Sequence, residues 1–198
     1  MAFGKCCYSE IRLGEESKYM EVEHFHPKSR YPDQVMEWGN LLPACKKCNT
    51  TKGEHDTRLA PIVNPFIDDP KDYFYFKASQ YKAKDNQGKG ERTIITLALN
   101  DRAHFVMPRY RVETAIKENL NDRKIDLDKI RDRSIPIGRI KRLLDQGNRK
   151  EEYSAFVSTT ILSDTNFQAI ETFLRSQDLW DAELDVLKAE LEFCALME

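Results

Sequence analysis

Four of the five cysteines fall in the first quarter of this 198-residue chain: Cys6, Cys7, Cys45 and Cys48. An odd total argues against a disulfide scaffold, and the opening residues Met1–Cys7 hold no apolar stretch of the kind that directs export. The expected setting is the cytoplasm, where clustered thiols serve as metal ligands sooner than as cross-links. Cys45-Lys46-Lys47-Cys48 has the two-residue gap of half a tetrahedral zinc knuckle, and Cys6 is the natural third ligand. Zn2+ there would staple a module too small to fold on its own core. Cys194 is expected as a core residue of a final helix. No stretch approaches the roughly 18 consecutive apolar residues of a membrane span, so no membrane is expected among the partners.

Around these cysteines the pattern is one of short elements. Tyr19 to Phe25 alternates apolar and polar side chains, as a half-buried strand does, and Pro27 ends it. A polar loop runs from Lys28 to Asp33. Trp38-Gly39-Asn40 reads as a turn, with Trp38 in the core, leading into a buried strand at Leu41–Ala44. Asn49 to Lys52 begins a short helix. Residues 60–72, rich in Pro, Asp and Asn, read as a linker. Asp72–Ala78 and Arg92–Leu97 are strand candidates, joined as a hairpin by the polar, Gly-rich stretch Lys84–Gly90. After Asn100 the periodicity is helical, over about 103–120, 127–133, 136–147, 151–162, 166–175 and 178–196. Asp178 is the expected N-cap of the last helix, whose apolar stripe is Leu179, Trp180, Leu184, Leu187 and Leu191. The expected fold class is α+β: a front module at 1–60, a β-containing region at 61–101, and a mostly α-helical domain at 102–198.

Glu23-His24 closes the first predicted strand, and Asn40 and Asn49 follow at seams between elements. A carboxylate suits Mg2+ or Mn2+, which prefer oxygen ligands. Neutral imidazole, with an unperturbed pKa of about 6.5, suits a base that deprotonates water. One asparagine oxygen can fix the imidazole tautomer, and a second can ligate the cation. Such a set is what metal-assisted phosphodiester hydrolysis requires.

Val22-Glu23-His24-Phe25-His26-Pro27-Lys28-Ser29, Trp38-Gly39-Asn40-Leu41-Leu42 and Cys45-Lys46-Lys47-Cys48-Asn49-Thr50-Thr51-Lys52-Gly53 together resemble an HNH endonuclease of ββα-metal fold. The resemblance covers roughly residues 5–55. It implies Glu23 and Asn49 as ligands of Mg2+ or Mn2+, His24 as general base, and Asn40 as the residue orienting that base. The wording Glu-His-Phe-x-Pro-Lys-Ser, with Asn64-Pro65, Leu99-Asn100-Asp101-Arg102 and the helical tail, is similar to the HNH subunit (PtuB-like) of Septu-type anti-phage systems, found also beside some retrons. That likeness implies an ABC/RecF-like ATPase partner that controls the nuclease. It favours DNA as substrate and leaves RNA, including tRNA, open. The family carries Cys-x-x-Cys near its start. Here Cys6-Cys7-Tyr8-Ser9 puts a serine at the fourth zinc position, leaving Cys7, a histidine, or loss of the zinc as alternatives. His26 stands where the family often has a basic residue. His55 is either an exposed loop residue or a further metal ligand, and His104 is structural.

Lys28, Lys46, Lys47 and Lys52 cluster around this site and are candidate phosphate contacts. Charge is segregated further along: residues 102–150 carry 14 basic and 7 acidic side chains, and residues 151–198 carry 2 and 11. Arg109, Arg111, Arg131, Arg133, Arg139, Lys141 and Arg142 can track a nucleic-acid backbone, pair with the acidic helices, or meet an acidic partner. Two competing readings stand beside the defence nuclease: a non-catalytic zinc-knuckle adaptor that binds a protein, and a stand-alone restriction or mobile-element HNH nuclease.

Overall fold

The structure is a computed structural model that describes residues 2–14, 19–84, 88–129 and 134–198. The chain divides into two units, one running to Pro108 and taking in Met197–Glu198, the other spanning Arg109–Leu196.

The first unit begins with a tight loop. Lys5 bridges Arg12, Cys6 N–H donates to Ile11 O, and Glu10, at φ 59°, donates back to Cys6 O. The strand expected at Tyr19–Phe25 is β1 (Met20–His24), and it pairs antiparallel with β2 (Leu41–Cys45), Glu23 opposite Leu42 and His24 opposite Leu41. The helix α1 (Lys46–Lys52) follows without a loop, because Cys45 is its N-cap: the Sγ accepts from Cys48 N–H at 3.5 Å. Gly53, at φ 49°, ends it. The order is strand, strand, helix, as the resemblance implies.

Residues 61–101 depart from expectation. The hairpin is β3 (Phe74–Lys77) and β4 (Gln80–Ala83), closed by Ala78 and Ser79, both at positive φ. A two-residue turn of this kind matches strand twist and leaves no connecting role for Lys84–Gly90, of which residues 85–87 lie outside the described residues. Arg92–Leu97 is not a strand: it lies largely in α2 (Lys89–Thr96), which packs on β4. Its β-branched run Thr93-Ile94-Ile95 suggested a strand, but tertiary contacts override that weak preference. Thr93 Oγ1 accepts from Val63 N–H at 2.8 Å, and Arg92 donates to Pro61 O, so the linker residues lie against the helix. Asn100 brackets Tyr81, accepting from its N–H and donating to its carbonyl at 2.9 Å each.

A wide turn at Arg102–Val106 opens α3 (Met107–Lys129). The start of the helix expected at 127–133 belongs to α3, and 130–133 lie outside the described residues, with Arg131 and Arg133. The second unit continues with α4 (Ser134–Asp145), α5 (Ser154–Ser163), α6 (Thr165–Ser176) and α7 (Ala182–Cys194). Seven of the ten residues of α5 are buried, so it is the helix the others cover. The last helix starts later than expected. Asp178, at φ 53°, closes α6: its N–H bonds Arg175 O and the next N–H bonds Leu174 O, a Schellman arrangement. Asp181 caps α7 instead, accepting from Leu184 N–H at 3.0 Å. Leu184 and Leu191 are fully buried, whereas Cys194 is only half-buried. No helix among the described residues is long and apolar enough to cross a membrane.

Between α4 and α5 the chain passes so close to α7 that a Cβ at Gly147 would collide with Leu191 Cδ2 and come within 2.7 Å of Ser158 Oγ. Gly147→Ala is expected to lower unfolding free energy by about 1–3 kcal/mol, read from urea denaturation.

Candidate active site

The first loop and the β2–α1 corner bring three buried thiols together. The Sγ atoms of Cys6, Cys45 and Cys48 lie within 4.8 Å of one another. The cap geometry explains two of them, since a thiol at an N-cap and another one turn later face the same point. Cys7 N–H, bonded to Pro43 O at 2.9 Å, ties the first loop to β2 and sets Cys6 opposite them. Hydrogen bonds from Cys45 and Cys48 hold the Cys6 thiol well below its ordinary pKa, while hydrogen bonds with Cys45 and Cys6, together with burial, push Cys48 up. Three thiols in a closed, buried corner fit a soft, thiolate-binding cation, whose charge stabilises their deprotonation. Ser9 Oγ lies 3.8 Å from Cys45 Sγ. Cys7 is outside the three-thiol group, and burial drives its pKa up.

At the β1–α1 seam, alternation puts Glu21 and Glu23 on one face of the strand, and Asn49 and Lys52 share a face of the helix. Asn49 Nδ2 donates to Glu21 Oε2 at 2.8 Å. Glu23 is 2 % exposed, and its Oε1 is 2.5 Å from Lys52 Nζ. That oxygen has the ion pair but no well-directed hydrogen bond. Burial pushes the Glu23 carboxyl up, against the pull of Lys52. Lys52 is itself buried and also donates to His24 O at 2.8 Å. Its ammonium therefore faces the seam and not solvent. Glu21 was not singled out from the sequence; its place two residues before Glu23 was the available signal.

His24 points away from Glu23, as strand alternation requires. Its Nε2 lies 3.2 Å from Val35 O. A carbonyl only accepts, so this contact assigns the proton to Nε2 and leaves Nδ1 with its lone pair. Asn40 does not touch the imidazole. It is buried and clamps the loop instead: Oδ1 accepts from His26 N–H at 2.6 Å, and Nδ2 donates to His26 O and Gln34 O. The expected orienting contact is thus made by a backbone carbonyl one residue beyond Gln34. His26 Nδ1 sits 2.6 Å from Thr57 Oγ1, whose hydroxyl donates to Phe25 O. Burial, with Arg58 and Lys52 nearby, lowers the His26 pKa.

Residues 5–55 match the family model of HNH endonuclease. The whole chain aligns at 36 % identity with 79 % of Septu protein PtuB of Bacillus thuringiensis. The chain belongs to the PtuB family of HNH endonucleases. It is a nuclease that hydrolyses phosphodiester bonds. Septu protein PtuB of Bacillus mycoides (strain KBAB4) is 32 % identical over half of this chain and 44 % of its own length. No solved structure matches.

The remaining candidate residues fall as follows. Lys28 and Lys46 are exposed, while Lys47 pairs with Asp101 at 2.9 Å. Trp38, expected in the core, is 85 % exposed, because the turn it starts lies on the surface and only Asn40 turns inward. His55 Nε2 lies 2.7 Å from Ala60 O, and His104 Nδ1 lies 2.8 Å from Asp101 Oδ1. Asn64 accepts from Phe66 N–H, so it shapes a turn.

Two outcomes are expected. Ser9→Cys supplies a fourth thiolate and should tighten zinc binding, measured by competition with a chromophoric chelator. Lys52→Ala leaves Glu23 buried without its counter-charge and should cost about 3–5 kcal/mol of stability, measured by denaturant unfolding.

Proposed function

We propose that this chain is the nuclease of a Septu-type defence system, acting on DNA under the control of an ABC/RecF-like ATPase. The observation that carries the catalytic reading is the His24 imidazole, tied through Nε2 to Val35 O with Nδ1 left as a base. In this reading Nδ1 takes the proton of the attacking water, and the Val35 carbonyl stabilises the imidazolium that forms. Asn40 is a positioning residue, acting through the loop that carries Val35. Glu23 and Asn49 would hold Mg2+ or Mn2+, with Glu21 added as an oxygen donor; the cation supplies charge stabilisation at the phosphoryl oxygens. Glu23 would share its carboxylate between that cation and Lys52. Exposed Lys28 and Lys46 would meet flanking phosphates. The three thiols would hold Zn2+ in a structural role, within a nuclease module of residues 1–60. The likeness to PtuB supports the Septu assignment, and the ATPase follows from it.

The test is a cleavage assay with Mn2+ on plasmid, single-stranded DNA and tRNA, with and without the ATPase. His24→Ala should lose at least about a hundredfold in rate while keeping its fold. A variant that cuts like the wild type overturns the assignment of the base, and tRNA cleavage without DNA cleavage overturns the substrate.

A further inference from the structure

The second unit holds a cavity of about 360 Å³ between α3 and α4, lined by Asn119, Arg123, Arg139, Arg142, Leu143 and Gln146. It lies outside the residues assigned above to the nuclease. Three guanidiniums and two side-chain amides face one space, and no acid lines it. Among the described residues, Asp126 is the carboxylate that pairs with them, 3.2 Å from Arg139 and 3.7 Å from Arg123. Among the described residues no acid pairs with Arg142, and the buried Nε of Arg123 finds no acceptor.

The surrounding domain makes this locus unusual. Several of its other basic residues pair with the acidic helices: Lys141 with Asp181 and Glu183, Arg149 with Glu190, Arg175 with Glu171 and Asp185. A long polynucleotide track would meet that acidic surface and be repelled. A short, concentrated anion would not. Clustered guanidiniums offer planar, forked donors that match phosphate oxygens, and the amides of Asn119 and Gln146 add neutral donors. The cavity volume lies at the lower end of small-ligand sites.

We propose that this cavity is a binding site for a terminal phosphate or polyphosphate group, carried by a free nucleotide or by the 5′ end of a nucleic-acid strand. Arg142 is its principal ligand, and Arg139 and Arg123 supply the flanking charge.

The experiment is calorimetric titration of the full chain with pyrophosphate in low-salt buffer without divalent cations. The wild type should bind. Arg142→Ala should weaken binding about tenfold or more. Lys117→Ala, an equal charge change on exposed α3 outside the cavity, should leave it unchanged. Circular dichroism and urea unfolding confirm that each variant folds. Competition by ATP identifies a free nucleotide as the source; competition by a 5′-phosphorylated oligonucleotide, but not its 5′-hydroxyl form, identifies a strand end. The proposal is overturned if the wild type binds none of these at millimolar concentration. It is also overturned if the two variants lose affinity equally, or if poly-glutamate competes as well as pyrophosphate, which would mark a groove for acidic protein.

Discussion

The three thiols of Cys6, Cys45 and Cys48 mark the corner from which the strand–strand–helix site is built. Two strands of five residues and a helix of seven bury too little apolar surface to hold themselves together. The thiol corner ties the first loop to the strand–helix junction, and the same junction sets the helix against β1. Everything the site needs follows from that angle. Asn49 reaches Glu21, and Lys52 reaches Glu23, because α1 leaves β2 at a cap made by sulfur. The buried Lys52–Glu23 pair adds specificity: a slip of β1 by one residue would leave the ammonium without its carboxylate.

Much of this was legible in the residues. The order strand, strand, helix followed from alternation, from Pro27 and from the cysteine spacing, since each reports local geometry. What failed did so for physical reasons. Arg92–Leu97 has the β-branched content of a strand, but its neighbours in space, Val63 and β4, decide otherwise. The hairpin turn at Ala78-Ser79 contains no glycine or asparagine, so its positive φ angles leave no mark in the sequence. Asp178 looks like a cap and is one, but for the helix before it. An aspartate tolerates the left-handed conformation as well as it accepts from an N–H, and composition cannot choose between the two uses.

The charge segregation resolves similarly. Opposite net charges in neighbouring segments suggested an interaction surface or an internal neutralisation, and the second unit shows internal pairing. The ion pairs between α4, the following turn and α7 take up Lys141 and Arg149. Exposed pairs of this kind contribute little stability each. Their larger effect is subtractive: they neutralise Lys141 and Arg149, whereas Arg123, Arg139 and Arg142 meet around one cavity that no acid lines.

The acceptor that fixes the ring of His24 is the main-chain oxygen of Val35. A scan that swaps side chains would pass over position 35, because every replacement but one that reshapes the loop brings the same carbonyl. The groups that hold this histidine are therefore recorded in loop length and in the clamp at Asn40, not in the identity of the residue that makes the contact. A relative could replace Val35 freely and keep its tautomer, while a single inserted residue between Pro27 and Asn40 would lose it.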